Sequence, residues 1–138
     1  MSPVKVERVD GVPVAHVSGD IDAANVAITQ QQLADALGPD AVSLVIDLSD
    51  TRYLDSAGID MLLRLSDRIV HRRARLLLVI PDGSQLKRLA TVVGLPDAIP
   101  IQPTLPAALR DAVVEPPSQT AASSLDPGGT TAAASPDR

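Results

Sequence analysis

The stretch Val42-Ser43-Leu44-Val45-Ile46-Asp47-Leu48 constrains the fold more than any other part of the chain. A strand with one wet face alternates apolar and polar residues. This one is apolar almost throughout, the pattern of a strand buried on both faces. A second such strand runs from Arg75 to Ile80 and is closed by Pro81-Asp82-Gly83. Between them, Asp55 or Ser56 opens a helix that continues to about Arg72. Its expected buried face is Ile59, Leu62, Leu63, Ile69 and Val70, with Asp60, Arg64, Asp67 and Arg68 opposite. Two buried strands joined through a helix imply parallel pairing, a right-handed crossover and an α/β fold.

The flanking segments extend this pattern. Val4 to Val9 alternates partly and reads as a half-buried strand, and Val12 to Val17 as its return. The Asp10-Gly11 pair between them is a type I′ hairpin signal. Pro13 has no N–H for a ladder, which predicts an edge or bulge at that end. Ile21 to Leu37 reads as a helix capped by Asp22 and stopped by Gly38-Pro39. Val26, Leu33 and Leu37 form its apolar stripe, with Gln30, Gln31, Gln32 and Asp35 largely off it. Ser84 to Val93 is a third helix, with Leu86, Leu89, Ala90 and Val93 inward and Gly94 as its stop. Ala98 to Ile101 is a short last strand. Thr104 caps a final helix over Leu105 to Val113, with Pro106 in its first turn. The expected order is β-β-α-β-α-β-α-β-α, the opening hairpin making the sheet mixed.

Beyond residue 113 the composition changes: 18 of the 25 residues from Val114 to Arg138 are Ala, Gly, Pro, Ser or Thr. Such a segment has too little apolar surface to offset the entropy of ordering it. The expectation is one domain over residues 1–113 and a disordered tail over 114–138.

Several function classes are disfavoured. Tyr53 is the only aromatic residue and the net charge is −5, whereas nucleic-acid surfaces use aromatic platforms and basic faces. There is no cysteine, and His16 and His71 are the only histidines, so thiolate chemistry and a multi-histidine metal centre are excluded. The longest run of bulky aliphatics, Leu76 to Ile80, is far short of the roughly 20 residues that span a bilayer. Met1 to Lys5 shows no apolar signal core. The chain is expected to be cytoplasmic, without membrane insertion, direct nucleic-acid contact, metal or cofactor.

The sequence offers little catalytic machinery. Gly11 and Gly19 stand alone, without a phosphate-binding loop. Ser56-Ala57-Gly58 lacks the upstream glycine of a nucleophile elbow. His16, alone on a strand, is expected to be structural or superficial. Asp20, Asp22, Asp47, Asp50 and Asp55 gather where strands end, the rim at which open α/β sheets bind ligands. Carboxylates there suit Mg²⁺, but caps and solvated loop charges are the plainer reading. Ser56 sits where strand and loop pass into a helix. A phosphate on it would meet free N–H groups and the positive end of the helix dipole. It would also add about −1.5 to −2 charges beside Asp55. From spacing alone, an ordinary capping serine is the plainer reading.

Val45-Ile46-Asp47-Leu48-Ser49-Asp50-Thr51-Arg52-Tyr53-Leu54-Asp55-Ser56-Ala57-Gly58-Ile59 resembles the signature of STAS domains, most of all the bacterial anti-sigma factor antagonists. Val17-Ser18-Gly19-Asp20-Ile21-Asp22 is similar to that family's Gly-Glu-Leu-Asp segment, with Asp20 in place of the usual Glu. Val92-Val93-Gly94-Leu95 resembles its Gly-Leu before the last strand. The resemblance covers roughly residues 4–113. It implies a mixed sheet with helices packed mainly on one face, and no catalysis by the chain itself. It further implies binding to an anti-sigma factor of serine-kinase type, so that a sigma factor is released. Phosphorylation of Ser56 by that kinase would switch the antagonist off, and a phosphatase would reverse it. Ala57 stands where many members have a second serine, which leaves one hydroxyl in the motif. The docking face so implied comprises Gly19, Asp20, Asp22, Asp55, Ser56, Asp60, Met61 and Arg64. A STAS accessory module of a transporter or lipid-transport system, not switched at this serine, is the alternative. A small enzyme or nucleotide-binding domain using the acidic strand ends is a third reading.

The tail generates a direct expectation. A chain ending at Val113 melts cooperatively at nearly the temperature of the full chain. A calorimetric drop of about ten degrees, more than 1 kcal/mol in a domain this small, would show that the tail packs on the domain.

Overall fold

The Asp10-Gly11 turn has φ of 53° and 81° at its two residues, both positive as a type I′ turn requires. It joins β1 (Val4–Val9) to β2 (Val12–Ser18) as antiparallel neighbours, with Val9 opposite Val12. These features come from a computed structural model that describes residues 3–113. The tail expected from Val114 onward lies outside the described residues. Pro13 is opposite Arg8, one residue before the pairing of β2 with β3 begins at Val14. Its missing N–H therefore removes no bond from that ladder.

β3 (Ser43–Asp50), β4 (Arg75–Val79) and β5 (Ile101–Gln102) continue the sheet in parallel, in the order β1-β2-β3-β4-β5. Each parallel step moves one place in the same direction. Right-handed crossovers then lay every connecting helix on the same face. Those helices are α1 (Val26–Leu37), α2 (Ser56–His71), α3 (Gln85–Val92) and the single-turn α4 (Leu95–Ala98). α5 (Leu105–Ala112) follows the last strand and covers the opposite face.

The strands present alternate residues to these two layers. Ala15, Val17, Leu44, Ile46, Leu48, Leu76, Leu78 and Ile80 pack with Leu33, Leu62, Leu65 and Ile69 on the crossover side. Val12, Val14, Val45, Leu77 and Val79 pack with Ala108 and Ala112 under α5. Leu44, Val45, Ile46 and Leu48 are all at 0% exposure, so β3 is buried on both faces. Arg75 pins the end of α5, donating to the Asp111 carbonyl at 2.8 Å and to Asp111 Oδ1 at 3.0 Å. Ser43 Oγ donates to the Ala112 carbonyl at 3.1 Å.

Four local expectations are corrected. α1 begins at Val26, not Ile21, because Ile21 pairs with Leu54 as an isolated parallel bridge and a turn intervenes. The last strand is Ile101–Gln102. Leu95–Ala98, opened by Gly94 at φ 78° and carrying Pro96 in its first turn, is helical instead. Val70 is 60% exposed, since the stripe buried by α2 runs through Gly58, Met61, Leu62, Leu65 and Ile69. Val93 is the C-cap residue of α3 and turns outward, leaving it half exposed.

His16 is not isolated. Its Nδ1 lies 2.8 Å from Asp47 Oδ2 and its Nε2 2.5 Å from Glu7 Oε2, so the ring links three strands. Burial alone would lower the His16 pKa. The hydrogen bonds and charges of Glu7 and Asp47 outweigh it and raise the value above the ordinary 6.5. A raised folded pKa gives stability that is complete below the unfolded value and is lost as pH rises through the folded one. The wild type therefore loses melting temperature as pH is raised past 6.5, and His16→Gln loses less over the same interval. Parallel pH profiles of the two would show that the ring contributes no such linkage.

Candidate functional site

Two loops meet at the carboxyl ends of β2 and β3. Gly19, at φ 82°, turns the chain out of β2 and donates its N–H to the Asp50 carbonyl at 3.2 Å. Two residues on, Ile21 N–H donates to the Tyr53 carbonyl, and Asp55 N–H donates to the Ile21 carbonyl, both at 3.2 Å. Beneath them the buried Thr51 hydroxyl donates to the Val17 carbonyl at 3.1 Å. The loops are thus clasped by backbone bonds.

Asp55 completes the clasp. Its Oδ1 accepts from Gly58 N–H at 3.0 Å, which caps α2, and its Oδ2 accepts from Ala23 N–H at 3.1 Å in the other loop. The capping role considered for Ser56 therefore belongs to Asp55. Asp22 does not cap α1. Its Oδ1 accepts from Ala24 and Asn25 N–H, while Asn25 Oδ1 accepts from Asp22 N–H. The two residues fold a reciprocal turn ahead of the helix, and Asn25 Nδ2 donates to the Asp20 carbonyl at 2.9 Å. Among the described residues, no three acidic or histidine side chains converge on a cation site.

Ser56 is the first residue of α2 and is exposed. Gly58 N–H is taken by Asp55 Oδ1, and Ile59 N–H by the Asp55 carbonyl. The Ser56 hydroxyl stands at the positive end of the helix, and among the described residues neither it nor the amides of Ser56 and Ala57 have a hydrogen-bond partner. Gly19 and Asp20 are exposed and Asp22 and Asp55 half-buried around it. Tyr53, 47% exposed, stands in the same loop.

Asp60 and Arg64 continue the surface along α2, paired with each other at 2.7 Å. Met61 does not belong to it. Expected on the docking face, it is 3% exposed and packs into the core beside Leu62 and Leu65. Gly58 was not singled out by sequence. A Cβ there would lie 3.0 Å from the Ile21 carbonyl oxygen and 3.2 Å from Ile21 Cγ2. The available signal was a glycine inside the first turn of a helix, where its cost calls for a reason.

The STAS domain profile matches residues 3–108. The anti-sigma-F factor antagonist RsfB of Mycobacterium tuberculosis is 29% identical over 106 residues, which cover 77% of this chain and 85% of RsfB. An anti-sigma factor antagonist from Mycobacterium paratuberculosis, of known crystal structure, is 29% identical with a TM-score of 0.67, over 79% of this chain and 92% of that one. The fold alone recurs at 20% identity and a TM-score of 0.67 in the murine anion transporter Slc26a9, over 79% of this chain and 19% of the transporter.

The clasp generates three graded outcomes in denaturant unfolding. Asp55→Ala lowers stability by about 1–2 kcal/mol, having lost a cap and a loop tie. In Gly58→Ala, overpacking of about 1–3 kcal/mol exceeds a helix-propensity gain of about 1 kcal/mol, because the opposing atom is a hydrogen-bonded backbone oxygen. Ser56→Ala stays within about 0.5 kcal/mol of wild type. A loss at Ser56 as large as that at Asp55 would return the cap to the serine.

Proposed function

The chain belongs to the STAS domain family, and on that footing we propose that it is a cytoplasmic anti-sigma factor antagonist switched by phosphorylation of Ser56. The observation that carries the reading is the division of labour at the start of α2. Asp55 takes the cap, and the neighbouring hydroxyl is exposed and, among the described residues, unbonded. The 29% identity to antagonists over most of the domain supports the same reading.

The chemistry would belong to the partner. An anti-sigma factor of serine-kinase type supplies ATP and Mg²⁺, and this chain supplies an accessible hydroxyl and a surface that presents it. Gly19, Asp20, Asp22, Asp55 and Ser56 form the centre of that surface, extended by Asp60 and Arg64. Binding there frees the sigma factor. A phosphate on Ser56 is accommodated by the free amides and the helix dipole, so the domain stays folded. It adds about −1.5 to −2 charges to a surface that already holds Asp20, Asp22 and Asp55. Repulsion and desolvation at the contact then release the partner, and a phosphatase resets the cycle.

Incubation with a serine-kinase anti-sigma factor and ATP, followed by mass spectrometry, is expected to place phosphate on the Ser56 peptide and none on Ser56→Ala. In calorimetric titration Ser56→Ala retains the partner, while Ser56→Asp binds about tenfold more weakly or worse, roughly 1.4 kcal/mol. Added salt recovers part of that loss if the opposing surface is acidic. Equal affinities of the Asp and Ala variants would overturn the switch and favour an accessory module not regulated at this serine.

A further inference from the structure

β2 and β3 do not pair in step along their whole length. Val14, Ala15 and His16 of β2 stand opposite Val45, Ile46 and Asp47 of β3, but Ser18 stands opposite Asp50. β3 therefore carries one extra residue there, a bulge in which Leu48 and Ser49 share the place opposite Val17. Bulges between parallel strands are rare, and a bulge re-aims the chain that follows it. Without this one, Ser49 would stand opposite Ser18. Each residue from Asp50 onward would then fall one place out of step with the loop from Gly19 to Ile21, and its side chain would change faces. The bonds that clasp the two loops, from Gly19 N–H to the Asp50 carbonyl and from Ile21 N–H to the Tyr53 carbonyl, need the extra residue.

Leu48 is buried, whereas Ser49 is exposed and has no apolar side chain to seat it. Asp47 holds it instead. Its Oδ1 accepts from Ser49 N–H at 3.0 Å and from Ser49 Oγ at 2.6 Å. Its Oδ2 lies 2.8 Å from His16 Nδ1 on β2, and the same ring reaches Glu7 of β1 through Nε2. One carboxylate thus ties the bulged residue to the neighbouring strand, with bonds strengthened by its charge. Among the described residues Asp47 bonds to none of Gly19, Asp20, Asp22, Asp55 and Ser56. Whatever it does for them, it does through the register of β3.

We propose that Asp47 is a positioning residue for the docking face, holding the bulge that brings the loop ahead of Ser56 into step with the loop after β2. Its effect on partner binding rests on the proposed antagonist function; its effect on the loops does not.

Three variants of the full chain test this. Asp47→Ala removes both ties, and the backbone amide resonances of Gly19, Ile21 and Ser56 should shift while those of α5 stay in place. In calorimetric titration with a serine-kinase anti-sigma factor, at a temperature where the variant is fully folded, its affinity should fall about tenfold or more, the scale of one lost bond to a charged group. Asp47→Asn keeps an oxygen for Ser49 N–H and should stay within about threefold of wild type. Arg75→Ala frees the end of α5 and lowers stability without touching the bulge, and should bind as wild type does. Unmoved Gly19 and Ser56 amides in Asp47→Ala overturn the proposal. So does wild-type affinity of that variant, an Asn variant as weak as the Ala one, or an equal loss in Arg75→Ala. A wild type that binds no such partner overturns the antagonist function instead, and the resonances then decide the positioning alone.

Discussion

A strand that is apolar on both sides needs cover on both sides, and β3 sets the rest of the molecule by that need. Leu44, Ile46 and Leu48 face one layer and Val45 the other, all excluded from water. Crossovers of one hand moving in one direction can cover only one face of the sheet. The second face is left to a helix that comes after the last strand. α5 fills that place with small residues, Ala108 and Ala112, that let it lie close to Val45, Leu77 and Val79. Arg75 and Ser43 fasten its end to the two central strands. The same strand carries the functional loop, because β3 runs into the residues that precede α2.

How far this could be read in the sequence depended on the range of the interaction. The hairpin turn, β3, β4 and α2 follow from neighbouring residues and their periodicity, and they stand where expected. The start of α1 did not, since Asp22 and Asn25 satisfy each other in a turn that resembles a cap in sequence. β5 was displaced because Gly94 and Pro96 favour a helical turn where the apolar pattern suggested only a connection. Met61 and Val70 changed places between surface and core, a matter of one position on the helix wheel that the neighbouring layer decides. The Glu7–His16–Asp47 bridge and the contact of Gly58 with Ile21 join residues 31 and 37 positions apart, and no local pattern announces them.

At the candidate site two adjacent residues have opposite characters. Both oxygens of Asp55 are held by backbone amides, one in the first turn of α2 and one in the loop before α1. Among the described residues the Ser56 hydroxyl bonds to nothing, and the clasp behind it does not depend on it. A change of charge at the serine can therefore alter the surface while leaving intact the bonds that position it. Gly58 serves the same end by letting α2 approach the Ile21 carbonyl to the distance at which the Asp55 amide reaches it.

Tyr53 has a practical corollary. It is the sole aromatic side chain of the chain and stands half-exposed in the loop that leads into Asp55 and Ser56. All intrinsic ultraviolet fluorescence and near-ultraviolet dichroism therefore originate three residues from that serine, and none originates in the hydrophobic core. The optical signal that in most proteins reports global unfolding is here a local gauge of a single loop, present without any label.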